Sequence, residues 1–188
     1  FPASAAENQL DPIVVTATRQ ATRANELTSD VSVITREEID QAGDTTSLAQ
    51  LLARQPGIQY VANGGAGSNS GVFIRGAATN QSIVLIDGVR IGSATLGSPN
   101  LSRIPLNQIE RIEILRGPAS SLYGADAIGG VIQIFTRRGE GAVRLNASTG
   151  YGTYNTSDTT VGVSGGTELV SYSVQAGYLS TDGFNSFT

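Results

Sequence analysis

The chain has 188 residues, no Cys, His, Met or Trp, and a net charge of −4 from 12 basic and 16 acidic side chains. These absences exclude disulfide frameworks, Cys or His zinc sites, thiol nucleophiles and a Ser-His-Asp triad, and the negative balance is unlike a duplex nucleic-acid binder. No apolar run reaches the length of a transmembrane helix, but a transmembrane β-barrel, whose strands are only half apolar, stays open.

Without a Met, the sequence reads as a trimmed chain. Residues 1–10 contain Ala3-Ser4-Ala5, a pattern that signal peptidase cuts after and that an ordinary small-residue tail also shows. Asp11-Pro12-Ile13-Val14-Val15-Thr16-Ala17-Thr18 is a short β-prone run. It is either an edge strand of the domain or a strand that adds to a partner's sheet.

From residue 31 the pattern is that of a compact α+β domain. Val31 to Ile34 reads as a strand. Thr35 and Glu38 form a capping box that opens a short helix, which Gly43 ends. Ser47 and Gln50 form a second box, followed by the stripe Leu48, Leu51, Leu52 and the stop Pro56-Gly57. Strands are predicted at 58–61, 72–75, 83–86 and 89–91, with Asp87-Gly88 as a hairpin turn between the last two. Ile109, Ile112 and Ile114-Leu115 are read as a short helix running into a strand, and 131–135 as the last strand of this block. Two long loops, 63–71 and 92–100, are rich in Gly, Ser and Asn and carry no charge.

The pattern changes after residue 141. Val143, Leu145, Ala147, Thr149 and Tyr151 alternate with polar residues or Gly, and so do Val170, Tyr172, Val174, Ala176 and Tyr178. Thr159, Val161 and Val163 give a weaker third strand. Turns are predicted at Gly152-Thr153 and Gly165-Gly166. Tyr at strand ends beside alternating apolar residues fits an outer-membrane barrel. It also fits a soluble meander with one wet face. Three strands cannot close a barrel, so the membrane reading expects further strands beyond this chain.

No motif assembles a catalytic site. Gly64-Gly65-Ala66-Gly67 lacks dinucleotide spacing, and a P-loop needs a Lys that is absent. Glu110 and Glu113 would share a helical face, but Arg111 and Arg116 beside them read as an ion-pair cluster. No enzyme activity, cofactor or metal is expected.

Three stretches, taken together and in order, carry a resemblance. Val84-Leu85-Ile86-Asp87-Gly88-Val89-Arg90 resembles the hairpin signature of plug domains in TonB-dependent outer-membrane transporters. The run from Ile109-Glu110-Arg111 through Leu115-Arg116-Gly117-Pro118 and Tyr123-Gly124 to Gly129-Gly130-Val131-Ile132 resembles the family's longer signature, and Phe73-Ile74-Arg75-Gly76 a third. The chain is most similar to the cobalamin branch, with which Asn63-Gly64-Gly65-Ala66-Gly67 and Asp126-Ala127-Ile128-Gly129-Gly130-Val131 also agree.

The resemblance implies a division of the chain. Residues 1–10 would be a cleavage remnant or tail, 11–18 the TonB box, 19–141 the plug with a small mixed sheet, and 142–188 the first three of about 22 barrel strands. Asp11, Pro12, Ile13, Val14, Val15, Thr16 and Ala17 would pair with TonB in the periplasm. Arg75 and Arg116 match positions whose guanidinium groups pair with barrel-wall Glu residues, a bidentate role that suits Arg. Asn63, Gly65, Ser68, Asn69, Ser70, Ser93, Leu96 and Ser98, on the two uncharged loops, would face the substrate. A loop surface without charge suits a large amide-decorated corrinoid better than an anionic siderophore. The expected function is therefore TonB-energised import of cobalamin across a Gram-negative outer membrane. The alternatives are a ferric-siderophore transporter of the same family and, from another class, a secreted soluble binding or adhesion module.

Overall fold

A computed structural model describes residues 14–15, 22–23, 30–43, 47–62, 70–92, 101, 104–118, 120–139, 141–167 and 170–183. The fold is α+β, as expected. A five-stranded mixed sheet is built from β3 (Asp30–Ile34), β6 (Ser82–Ile86), β7 (Val89–Ile91), β8 (Ile109–Arg116) and β9 (Gly130–Thr136). They lie in the order β3-β8-β9-β6-β7, parallel only between β9 and β6. The sheet therefore places β9 at its centre and β3 at one edge. Two short helices, α1 (Arg36–Ala42) and α2 (Leu48–Ala53), and the two-stranded ribbon of β4 (Ile58–Ala62) and β5 (Ser70–Ile74) complete the block. Two further strands precede it: β1 (Val14–Val15) and β2 (Thr22–Arg23). A last helical turn, α3 (Ser120–Tyr123), lies between β8 and β9.

Strand alternation explains the two cores. Ile34, Ile112, Ile114, Ile132, Ile134 and Val84 point to one face, where Ile39 of α1 and Leu48, Leu51 and Leu52 of α2 cover them. Val33, Leu115, Val131, Ile83 and Leu85 point to the other and meet Ala127 and Tyr123. Each of these side chains contributes on the order of 1.5–3 kcal/mol when fully buried. The row Ser32–Ile114–Ile132–Val84 runs straight across four strands, so a one-residue slip would turn the whole row inside out.

Both capping boxes form. Thr35 N–H donates to Glu38 Oε2 at 2.9 Å. Gln50 N–H donates to Ser47 Oγ at 3.2 Å, while Ser47 N–H donates to Gln50 Oε1 at 2.9 Å. Backbone amides at the start of α1 hold the Glu37 carboxyl below its ordinary value, and the Arg36 hydrogen bond does the same for Asp40. Because α2 seats three Leu in the main core, its cap matters more than its length. Ser47→Ala is expected to cost the folded plug about 1 kcal/mol, within the ~0.5–2 kcal/mol range for such caps. Urea unfolding monitored by far-UV circular dichroism measures it, and an unchanged midpoint would contradict the cap's role.

The hairpin turn at Asp87-Gly88 has φ of 48° and 84°, the left-handed pair that suits a two-residue connection. Asp87 is pinned there by Thr136, whose N–H donates to Oδ1 at 3.0 Å and whose hydroxyl donates to Oδ2 at 2.5 Å. The turn is thereby fixed to the end of β9.

Beyond β9 the chain runs through residues 137–143 into a three-stranded antiparallel sheet of β10 (Arg144–Gly152), β11 (Thr156–Gly166) and β12 (Ser171–Ser180). Its register aligns Leu145, Val163 and Val174 on one face, with Ala147, Val161 and Ala176 in the next row. The other face carries Arg144, Ser164 and Ser173, then Asn146, Gly162 and Gln175. Alternation within each strand and register between strands thus agree on one apolar face.

Three expectations need correcting. Residues 109–112 are strand, not helix: a 3₁₀ turn, Leu106–Gln108, leads directly into β8. Glu110 and Glu113 therefore share no helical face. The β10–β11 turn falls at residues 153–155, with Tyr154 and Asn155 at φ of 56° and 53°, rather than at Gly152-Thr153. Gly165-Gly166 are the end of β11 and not a turn. Their missing side chains admit the chain between the two sheets: a Cβ on Gly166 would meet the Gly139 carbonyl at 2.5 Å, and Gly166 N–H donates to Gly141 O at 3.0 Å. Glycine inside a strand here marks close backbone approach.

Candidate functional site

Two residues of the predicted TonB-binding run are described, and they pair within the chain. Val14 and Val15 form a two-residue antiparallel ladder with Arg23 and Thr22. Asp11, Pro12, Ile13, Thr16 and Ala17 lie outside the described residues.

Arg75 and Arg116, predicted separately, are brought together. Arg75 sits just past β5 in a left-handed conformation, φ 52°, which few non-glycine residues adopt. Its N–H donates to Gly57 O at 2.7 Å, fixing the turn against the start of β4. Its Nη2 donates to Asp30 Oδ2 at 2.5 Å. Arg116 ends β8 and pairs in register with Asp30 across the antiparallel ladder. Its Nη1 donates to Asp30 Oδ1 at 2.7 Å and its Nη2 to Ser32 Oγ at 2.5 Å. One carboxylate thus serves two guanidinium groups. The Arg116 side chain is only 4% exposed, whereas those of Arg75 and Asp30 are about half exposed. Arg116 Nε is buried without a hydrogen-bond partner among the described residues.

Glycines shape the space around this pair. Gly130 has φ 151°, and a Cβ there would collide with the Leu115 carbonyl. A Cβ on Gly117 would stand 3.4 Å from Arg75 Nη1. The cluster occupies the sheet end marked by Asp30, Arg116, Gly130 and Ser82, which are register neighbours. Ile91 pairs with Val84, so β7 runs toward this end of the sheet. The opposite end holds Asp87 and Thr136, from which the chain passes to β10.

The stems of both predicted substrate loops are therefore defined. Ala62 pairs with Ser70 to close the β4–β5 ribbon around residues 63–69. Of the predicted substrate residues, only the backbone of Ser70 is described. Asn63, Gly65, Ser68, Asn69, Ser93, Leu96 and Ser98 lie outside the described residues.

The carboxylates considered for acid-base work are engaged in ion pairs. Glu113 is fully buried and accepts from Arg111 Nε at 3.0 Å, with the Arg111 guanidinium 3.8 Å over the Phe135 ring. Glu110 lies 3.6 Å from Arg137. Arg116, read from sequence as part of that cluster, turns instead to Asp30. Asp30 and Ser32 escaped the sequence reading: 86 residues separate Asp30 from Arg116, and nothing local marks either. Among the described residues no group of metal-ligating side chains forms.

A mixed five-stranded plug-like sheet, continued by an antiparallel sheet with one apolar face, defines a class that comparison with known proteins confirms. The TonB-dependent receptor plug domain family matches residues 23–131. The chain belongs to this family. It is 46% identical, over 149 residues and 78% of its length, to the vitamin B12 transporter BtuB of Photobacterium profundum, of which it spans 24%. A variant of the ferric enterobactin receptor PfeA from Pseudomonas aeruginosa, solved with enterobactin, superposes with a TM-score of 0.64 at 27% identity. That match covers 83% of this chain and 25% of the receptor. The siderophore receptor PirA from Acinetobacter baumannii gives 0.59 at 29% identity, covering 79% and 24%. The chain thus spans about a quarter of the relatives it matches.

Proposed function

We propose that this chain is the plug and the opening barrel strands of an outer-membrane cobalamin transporter that is energised through TonB. The observation that carries this reading is the 46% identity to a vitamin B12 transporter, against 27–29% for the siderophore receptors. The aligned apolar face of β10–β12 supports a lipid-facing wall, since alternate residues of such strands face lipid and lumen. The strand conformation of Val14–Val15 supports strand addition to TonB from the periplasmic side. Arg75 and Arg116 would complete their pairing with carboxylates of the barrel wall. Among the described residues, two cations on one Asp leave a positive charge over, and the buried Arg116 Nε lacks an acceptor.

The loops at 63–71 and 92–100 would present amides and hydroxyls to the corrinoid from rigid stems. Calorimetry on the full-length transporter tests this. Cobalamin is expected to bind, and replacing Ser68, Asn69 and Ser70 by Ala is expected to weaken binding by roughly 1–3 kcal/mol, the scale of a few lost hydrogen bonds. No heat with cobalamin, together with tight binding of a ferric siderophore, would overturn the substrate and leave the transporter class standing.

A further inference from the structure

Asp30 has a place in the fold that no transport role yet uses. It is the first residue of β3, the edge strand through which the N-terminal segment enters the sheet. Both of its carboxylate oxygens are committed, one to each arginine. Arg75 in turn closes the β4–β5 ribbon, which carries residues 63–69, and is tied to Gly57 through its own N–H. Contacts therefore run from β3 through Asp30 to Arg75 at the base of the β4–β5 ribbon, the end opposite residues 63–69.

The two ion pairs differ in weight. The Arg75–Asp30 pair is half exposed, and such pairs hold little by themselves. Arg116 is almost wholly buried, and removing the carboxylate paired with a buried cation is strongly unfavourable. It would also leave two like charges facing each other across the same gap. Among the described residues the pair is thus held together by one residue on a strand whose one neighbour is β8.

We infer that Asp30 is a positioning residue that couples the N-terminal segment to the Arg75–Arg116 pair and, through Arg75, to the base of the β4–β5 ribbon. Displacing β3 withdraws the shared carboxylate and frees the Arg75 side chain at the base of the ribbon. Because coupling is reciprocal, an occupant on the loop changes the hold on β3. The inference rests on the transporter reading for its purpose but not for its geometry.

Amide hydrogen exchange on the detergent-solubilised full-length transporter tests it, with Asp30→Asn, Asp30→Glu and, as a control for loss of an exposed acid, Asp126→Asn. Asp126 makes a half-exposed pair with Arg90 far from β3 in sequence. Asp30→Asn is expected to speed exchange about tenfold or more at residues 31–34 and 75–77 while β6 and β9 keep their protection, as local opening does. Asp30→Glu, which keeps the charge, and Asp126→Asn are expected to match the parent. Cyanocobalamin added to the parent is expected to alter exchange at residues 31–34, and the Asp30→Asn variant is expected to lose that response. Three results would overturn the inference: parental exchange in Asp30→Asn, equal acceleration in Asp30→Glu, or acceleration spread evenly through β6 and β9. Calorimetry of the parent with cyanocobalamin separates the two readings. An absence of heat would refute the corrinoid substrate, while the comparison of Asn with Glu, which needs no ligand, still decides on Asp30.

Discussion

Val14→Pro in the full-length transporter is expected to abolish energised uptake and to leave surface binding of substrate intact. Among the described residues the strand at Val14–Val15 forms a two-residue ladder, pairing with Arg23 and Thr22. So short a ladder is marginal without tertiary support, and a longer partner strand can replace it. Strand addition recruits main-chain donors and acceptors in alternation. Proline removes one donor and fixes φ near −65°, away from extended pairing geometry. The damage is expected to stay in the coupling segment, because among the described residues neither core contains one before Val31. Val14→Ala, which leaves the backbone free, should transport at near the parental rate. Radiolabelled uptake in energised cells, set against binding in cells lacking TonB, makes the measurement. Parental uptake by the proline variant would remove the TonB-box assignment.

Much of the plug could be read from its sequence because its local signals agree with its tertiary packing. The capping boxes at Thr35 and Ser47, the Asp87-Gly88 turn and the period-2 strands all formed where local chemistry placed them. The misreading of β8 has a physical cause. A bulge between Ile109 and Arg111 inserts an extra residue. Ile109 and Ile112, three apart, are thereby both buried in the same core. A spacing of three on one face is the helical signature, and only the partner strand shows that a bulge produced it. Gly165-Gly166 misled in a similar way. Glycine marks turns and close approaches alike, and the chain that approaches, at Gly139, is visible only once the sheets are assembled. Arg75 and Arg116 could be picked out through the family resemblance, whereas Asp30 could not. Its role arises from a ladder between distant segments, and a lone Asp at a strand start carries no local pattern.

The 188-residue chain on its own is expected to self-associate through residues 142–188, and ending it after Gly141 is expected to yield a monomer. Among the described residues neither core includes one beyond Ile134, so the shortened chain keeps both cores as described. The removed sheet contributes Leu145 at 84% exposure, Val174 at 62% and Tyr178 at 72%, aligned by register on one face. Contiguous apolar surface of this kind favours association in water. The outer edges of β10 and β12 add unpaired backbone donors and acceptors, a template for a second copy. Close backbone contacts at residues 139–141 and 165–166 join this sheet to the plug, and its apolar face stays exposed at Leu145, Val174 and Tyr178. Detergent should disperse the long form by covering that face, and added salt should not, because the driving force is apolar. Sizing chromatography with light scattering on both forms provides the comparison. A clean monomer for the long form without detergent would mean that the apolar face finds cover within the chain itself.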